Sequence, residues 1–130
     1  MPSVSPPEPP SRDPLVVLVV EDEFLLALDL ELILERHGFR VLGPAATVAE
    51  ALRLLEQGAT PDVALLDVNL KGETVTPVAE ALRARGVPFV LASAYDRAQL
   101  SAAVLVAAPN VGKPTSERHL LAALAQAVGR

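Results

Sequence analysis

The sequence contains no cysteine, and aromatic residues fill only 3% of its 130 positions. The first absence removes disulfides, thiol chemistry and any cysteine-built zinc site. The second leaves a core of Leu, Val and Ala, which favours helices packed on a sheet over an aromatic-rich β-barrel. Positive charge is scarce too: the net charge is −5 and the pI near 4.9, so no basic stripe exists to meet a phosphate backbone. Nucleic acid is excluded as a partner on that ground. No apolar run approaches the roughly 18 residues of a membrane span, and the N-terminus lacks the basic-then-apolar order of a signal peptide. A cytoplasmic protein with no membrane attachment is the expectation, and the length suits one domain with a genuine core.

What is present is clearly punctuated. Residues 1–14 hold Pro2, Pro6, Pro7, Pro9, Pro10 and Pro14 among Ser and acids, a composition that leans towards extended polyproline-like chain. It reads as a disordered tail, with a ligand for a proline-recognising module as the alternative, and 15–130 as the folded domain. Leu15 to Val20 is an unbroken run of Leu and Val that ends in Glu21-Asp22-Glu23, a strand delivering acids at its carboxyl end. Phe24 to His37 has helical length and stops at Gly38. Its apolar positions form two stripes: Leu26, Leu30, Ile33 and Leu34 on one side, Leu25, Leu28 and Leu32 on another. One stripe suffices for a core, so the second is either covered by this chain or left as a partner surface, with Leu25 and Leu28 its candidates.

Arg40 to Pro44 gives a second strand, and Thr47 with Glu50 opens a helix that ends at Gly58. The third strand, Asp62 to Val68, carries Asp67 at its carboxyl end. Pro77 to Arg85 is a helix closed by Gly86, and Val87 to Ala92 is the fourth strand, followed by Ser93. Residues 97–106 stay open between helix and extended chain. Pro109 to Gly112, short and polar for a strand, precede Lys113-Pro114, and Ser116 caps a last helix with Leu120, Leu121, Leu124 and Val128 at core spacing. This alternation implies an α/β fold, a flavodoxin-like (βα)5 doubly wound parallel sheet in the order 2-1-3-4-5. That order brings Glu21, Asp22, Asp67, Ser93 and Lys113 to the carboxyl edge near the switch point.

Carboxylates forced together at such an edge cannot all stay ionised without a cation. Oxygen ligands with no His or Cys select Mg2+ or Mn2+ over zinc. A hydroxyl and an ammonium opposite the acids suit a phosphoryl oxygen, and phosphoryl transfer is mostly positioning and charge neutralisation.

At these residues the chain resembles the receiver domain of bacterial two-component response regulators, over about Leu15 to Val128. The resemblance implies that Asp67 accepts a phosphoryl group from a histidine kinase or a histidine phosphotransfer protein. It implies that Asp22 and Asp67 ligate Mg2+, that Glu21 holds a metal-bound water, and that the Asn69 backbone carbonyl completes the site. Ser93 would bond a phosphoryl oxygen, Lys113 would pair with it, and Pro114 is a candidate for a cis peptide. Pro88-Phe89-Val90-Leu91-Ala92-Ser93-Ala94-Tyr95 is similar to the Pro-Phe-x-Phe-Ala-Thr-Gly-Tyr signature of the "FAT GUY" single-domain regulators, associated with HWE and related histidine kinases. Leu91, Ser93 and Ala94 depart from it, and Ala94 removes a glycine's freedom. Chemotaxis-type receivers carry an aromatic three residues before the lysine, where this chain has Asn110, so their buried-aromatic switch does not transfer. Tyr95, the only tyrosine, is the switch candidate, its alternative being a ring packed on the site loop.

Two other readings compete. A Mg2+-dependent phosphohydrolase using an aspartyl-phosphate needs a second acid near the nucleophile, where this chain has Asn69. A pseudo-receiver that binds partners without phosphate is opposed by the intact acids, Ser93 and Lys113. The expectation is a signalling module and not an enzyme beyond its own phosphorylation and dephosphorylation, with a homodimer admitted by the second apolar stripe. His37 and His119 read as surface or cap residues.

Overall fold

The computed structural model describes residues 14–58, 60–93, 105, 108–113 and 115–129. The tail up to residue 13, Tyr95, Pro114 and all but Leu105 of the open segment 97–106 lie outside them. The apolar run after Leu15 forms β1 (Val16–Val20), followed by α1 (Phe24–Arg36), β2 (Arg40–Ala45), α2 (Val48–Glu56) and β3 (Val63–Leu66). A hairpin of β4 (Asn69–Leu70) and β5 (Glu73–Thr74) precedes α3 (Thr76–Ala84) and β6 (Phe89–Leu91), and α4 (Glu117–Ala127) comes last.

Four strands pair in parallel in the order β2-β1-β3-β6. Among the described residues the fifth place beside β6 holds one parallel bridge, Leu91 to Asn110. The expected order is therefore found, with its last strand described only at this bridge, where Pro109 has no N–H to give a ladder and the chain turns at Gly112, whose φ is +84°.

Strand side chains alternate between the two faces of the sheet. Leu18, Val20, Ala64 and Leu66 pack with Ala51 and Leu55 of α2 and Val78 and Leu82 of α3. Val17, Val19, Val63, Leu65 and Val90 pack with Leu34 of α1 and Leu120 and Leu124 of α4. Covered on both faces, the strands are apolar throughout, as a doubly wound sheet requires. Truncating one fully buried leucine such as Leu34 costs about 2–5 kcal/mol in such a core.

The wider stripe of α1 turns inward: Leu34 is buried, Leu30 and Ile33 pack against the same cluster, and Ala27 is buried with them. The second stripe faces outward, with Leu25 76%, Leu28 40% and Leu32 53% exposed beside Phe24 at 75%. The helix starts are capped as the sequence implies. Thr47 Oγ1 accepts from the Glu50 N–H at 3.0 Å and Ser116 Oγ from the His119 N–H at 3.1 Å. The Glu50 carboxylate accepts from the Ala46 N–H at 2.7 Å, one residue before the cap position that a capping box would use.

Gly43 has a structural necessity. Its φ is +98°, and a Cβ there would lie 2.8 Å from the Ala45 nitrogen and 3.1 Å from the Val19 oxygen. It sits where the β1–β2 register slips between Leu18 and Val20, and its peptide bond to Pro44 is cis.

Candidate functional site

β1 and β3 end level, Val20 opposite Leu66, so the residues that follow leave the sheet side by side. The Asp67 N–H donates to the Val20 carbonyl and the Glu21 N–H to the Ala45 carbonyl, both at 2.9 Å. These bonds hold two acids where the apolar strands end, and both are buried, Glu21 at 3% and Asp67 at 6% exposure. One carboxylate oxygen from each of Glu21, Asp22 and Asp67 lies within 4.8 Å of the others. The Lys113 ammonium stands among them, 3.1 Å from Asp67 Oδ2, 3.2 Å from Glu21 Oε2 and 3.6 Å from Glu23 Oε1.

The acids outnumber the base, and the electrostatics register it. Burial pushes Glu21 up to about 7; the Glu23 N–H and Lys113 pull it down, and the Asp67 charge pushes it further up. Desolvation alone would lower the Lys113 ammonium, but its hydrogen bonds and charge attraction to Asp67, then Glu21, outweigh that and hold it above its ordinary range. A buried cluster short of positive charge favours a hard cation.

Ser93 lies two residues past the end of the neighbouring β6 at 2% exposure, and the Ala92 N–H before it donates to the Leu66 carbonyl at 2.9 Å. Asn69 lies two residues past Asp67, and its backbone N–H donates to Asp67 Oδ1 at 3.4 Å. Its side-chain oxygen accepts from the Gly72 N–H at 3.0 Å inside the β4–β5 hairpin. Lys71 at φ +52° and Gly72 at φ +91° form the two-residue connection, the double positive φ that a primed hairpin turn requires. The sequence reading missed this hairpin, although a glycine between two short polar runs was its signal.

Glu21, Asp22, Asp67 and Lys113 thus meet as expected, with Ser93 and Asn69 on the same sheet edge. Leu25 and Leu28 lie on the exposed face of α1, whose first turn adjoins a cleft of about 200 Å³ lined by Glu21, Asp22, Phe24, Ala27 and Leu28 among others. The reading missed Glu23, which reaches Lys113, and the part played by Asn110. Its side-chain oxygen accepts from the Ser93 N–H at 3.1 Å and from the Gly112 N–H at 2.9 Å. Among the described residues no helix is long and apolar enough to cross a membrane.

A doubly wound sheet that gathers buried acids and one ammonium at its carboxyl edge places the protein among phosphoacceptor modules. The chain belongs to the response regulator receiver domain family, which residues 17–125 match, and it is a phosphoacceptor receiver of two-component signalling. It is 30% identical over 114 residues to the phyllosphere-induced regulator PhyR of Methylorubrum extorquens, covering 86% of this chain and 43% of PhyR. The chain spans about half the length of the curated relatives it matches. The solution structure of SdrG from Sphingomonas melonis Fr1 is 41% identical, with a TM-score of 0.74 over 88% of this chain and 96% of SdrG. The BeF3-activated conformation of SdrG from Pseudomonas melonis Fr1 is 40% identical, with a TM-score of 0.73 over 87% of this chain and 95% of that one.

Proposed function

We propose that Asp67 takes a phosphoryl group from the phosphohistidine of a histidine kinase or a histidine phosphotransfer protein, and that the phosphorylated receiver signals by protein contact or drains phosphate from its donor. The observation that carries this reading is the buried Asp67 carboxylate, 3.1 Å from the Lys113 ammonium and inside the acid cluster of Glu21 and Asp22. In the transfer, a carboxylate oxygen of Asp67 forms the O–P bond while the N–P bond of the phosphohistidine breaks, its electron pair returning to the ring nitrogen. Lys113 pairs with the charge on the phosphoryl oxygens, and the Ser93 hydroxyl donates to one of them. Asn69 offers no acid two residues past the nucleophile, which speaks against a phosphohydrolase.

The all-oxygen cluster fits Mg2+, with Mn2+ as a substitute: Asp22 and Asp67 as direct ligands, Glu21 through a water, the Asn69 carbonyl completing the set. A bound divalent cation neutralises the acids and the phosphoryl oxygens together. Residues 15–130 form the receiver unit, residues 1–14 a tail, Tyr95 takes part in switching, and the protein works in the cytoplasm.

Incubation with acetyl phosphate and Mg2+ should add one acid-stable, base-labile phosphoryl group to wild type and none to Asp67→Asn, read by intact mass. Labelling of Asp67→Asn at the wild-type level would refute the assignment. The exposed face of α1 beside the site, Leu25 and Leu28 with it, serves as the surface for the phosphodonor or a second copy. Leu28→Ser should fold normally and weaken kinase binding or dimerisation; if both stay unchanged, that surface is wrongly assigned.

A further inference from the structure

Lys113 is presented from the segment that lies beside β6 at the sheet edge. Beside β6, the Leu91 N–H donates to the Pro109 carbonyl and the Val111 N–H to the Leu91 carbonyl, both at 2.8 Å, around the bridge from Leu91 to Asn110. These backbone bonds flank residue 110 and stop short of the turn that carries Lys113, and a lysine stem magnifies any displacement of that turn at its tip. The Asn110 side chain supplies the further restraint. Its one oxygen accepts from the N–H of Ser93, just past the end of β6, and from the N–H of Gly112, just before Lys113. An amide oxygen has two lone pairs, and both are engaged here. Beyond the turn, the Thr115 hydroxyl donates to the Gly112 carbonyl and closes the loop on its other side.

We infer that Asn110 is the positioning residue of this site, tying Ser93 and Lys113 into one rigid unit so that hydroxyl and ammonium meet the same phosphoryl group. The inference rests on the function proposed above. It goes beyond it by dividing the site in two: the acids hold the cation without Asn110, whereas the two groups that meet the phosphoryl oxygens depend on it. The acids hang on β1 and β3 through backbone bonds that Asn110 does not touch. Aspartate keeps the acceptor oxygen at that place, while leucine keeps only the approximate volume.

The test uses the full chain and three variants, Asn110→Ala, Asn110→Leu and Asn110→Asp. Labelling by acetyl phosphate should slow about tenfold or more for Ala and Leu, as small misplacements of catalytic groups do, and Asp should recover most of the rate. Mg2+ affinity, measured by calorimetry without a phosphodonor, should stay at the wild-type value in the Ala and Leu variants. Wild-type labelling rates in those two, a parallel loss of Mg2+ affinity, or an Asp variant as slow as Leu would each overturn the inference. A measurement on the unmodified protein is independent of how the variants fold. Adding beryllofluoride with Mg2+ should shift the NMR signals of the Ser93 amide, the Asn110 side-chain amide and the Gly112 amide together, and movement of Ser93 alone would overturn the inference. A wild type that takes up no phosphate would sink the proposed function and this inference with it. A wild type that labels alongside equally fast Ala and Leu variants would sink only the inference.

Discussion

Two clusters of opposite charges lie at the two ends of α1, and they behave differently for one reason. At the C-terminal end, Arg36 and His37 both reach Glu117, at 2.8 and 2.6 Å. At the N-terminal end, Lys113 meets Asp67 and Glu21 at the longer distances of 3.1 and 3.2 Å. By distance alone the first cluster would be the stronger. Its side chains, however, are 39–61% exposed, and water and salt screen them into near-irrelevance. There the bases are in excess, and the His37 hydrogen bond first, with the Arg36 charge, holds Glu117 below its usual range. In the buried cluster the acids are in excess, and the shortfall of positive charge has no water to relieve it. Burial, more than closeness, turns a set of charges into a binding site.

The contrast breaks if the two ends respond alike to losing a cation. Lys113→Met should lower phosphate uptake from acetyl phosphate about 100-fold or more, as removal of one preorganised donor does, while Arg36→Met leaves uptake unchanged; a labelling time course on both variants decides.

The next effect is on stability. Without a divalent cation, Glu21 gives up its proton near 7 in the folded protein and near its ordinary 4.5 in the unfolded chain. A carboxyl whose folded pKa is raised stabilises the fold below the lower value and loses that stabilisation as the pH climbs through the higher one. Denaturant titrations of metal-free protein should therefore show stability falling between pH 4.5 and 7, by on the order of 3 kcal/mol at most. Glu21→Gln should flatten that slope, and Mg2+ should offset it at neutral pH. A flat wild-type profile would mean that burial beside Asp67 does not hold the proton on Glu21.

The smallest effect belongs to the exposed end. Glu117→Gln should leave phosphate uptake unchanged and move the melting temperature by no more than the scatter of repeat scans. A loss as large as that from disturbing the buried cluster would erase the distinction.

The site was legible because three of its contributors follow an apolar run: Glu21 after Val20, Asp67 after Leu66, Ser93 after Ala92. Strand ends converge whatever the details of the helices, so topology alone brings the acids together. Asp62, just ahead of β3, accepts the Val16 N–H at 2.7 Å and fastens the start of β1. Asn110 was passed over because it was weighed as a missing aromatic, while its role lies in bonds to two backbone donors on different segments. Such bonds exist only once residues 93 and 110 are neighbours, and nothing in their separation along the chain announces it. Ala27 escaped notice for a different reason: a small side chain adds little to a periodicity that Leu and Ile dominate. The outward stripe of α1 left two outcomes open, and among the described residues Leu25 and Leu28 are exposed.

The two rims of the sheet carry one further consequence. On one side β2 carries Pro44 near its end, next to the glycine that slips its register, and on the other Pro109 leads the bridge beside β6. Among the described residues neither rim offers an unbroken row of amide donors, which leaves a stray extended chain little template on which to add itself. For a protein whose composition is 51% hydrophobic, these two prolines are a built-in guard against edge-to-edge aggregation.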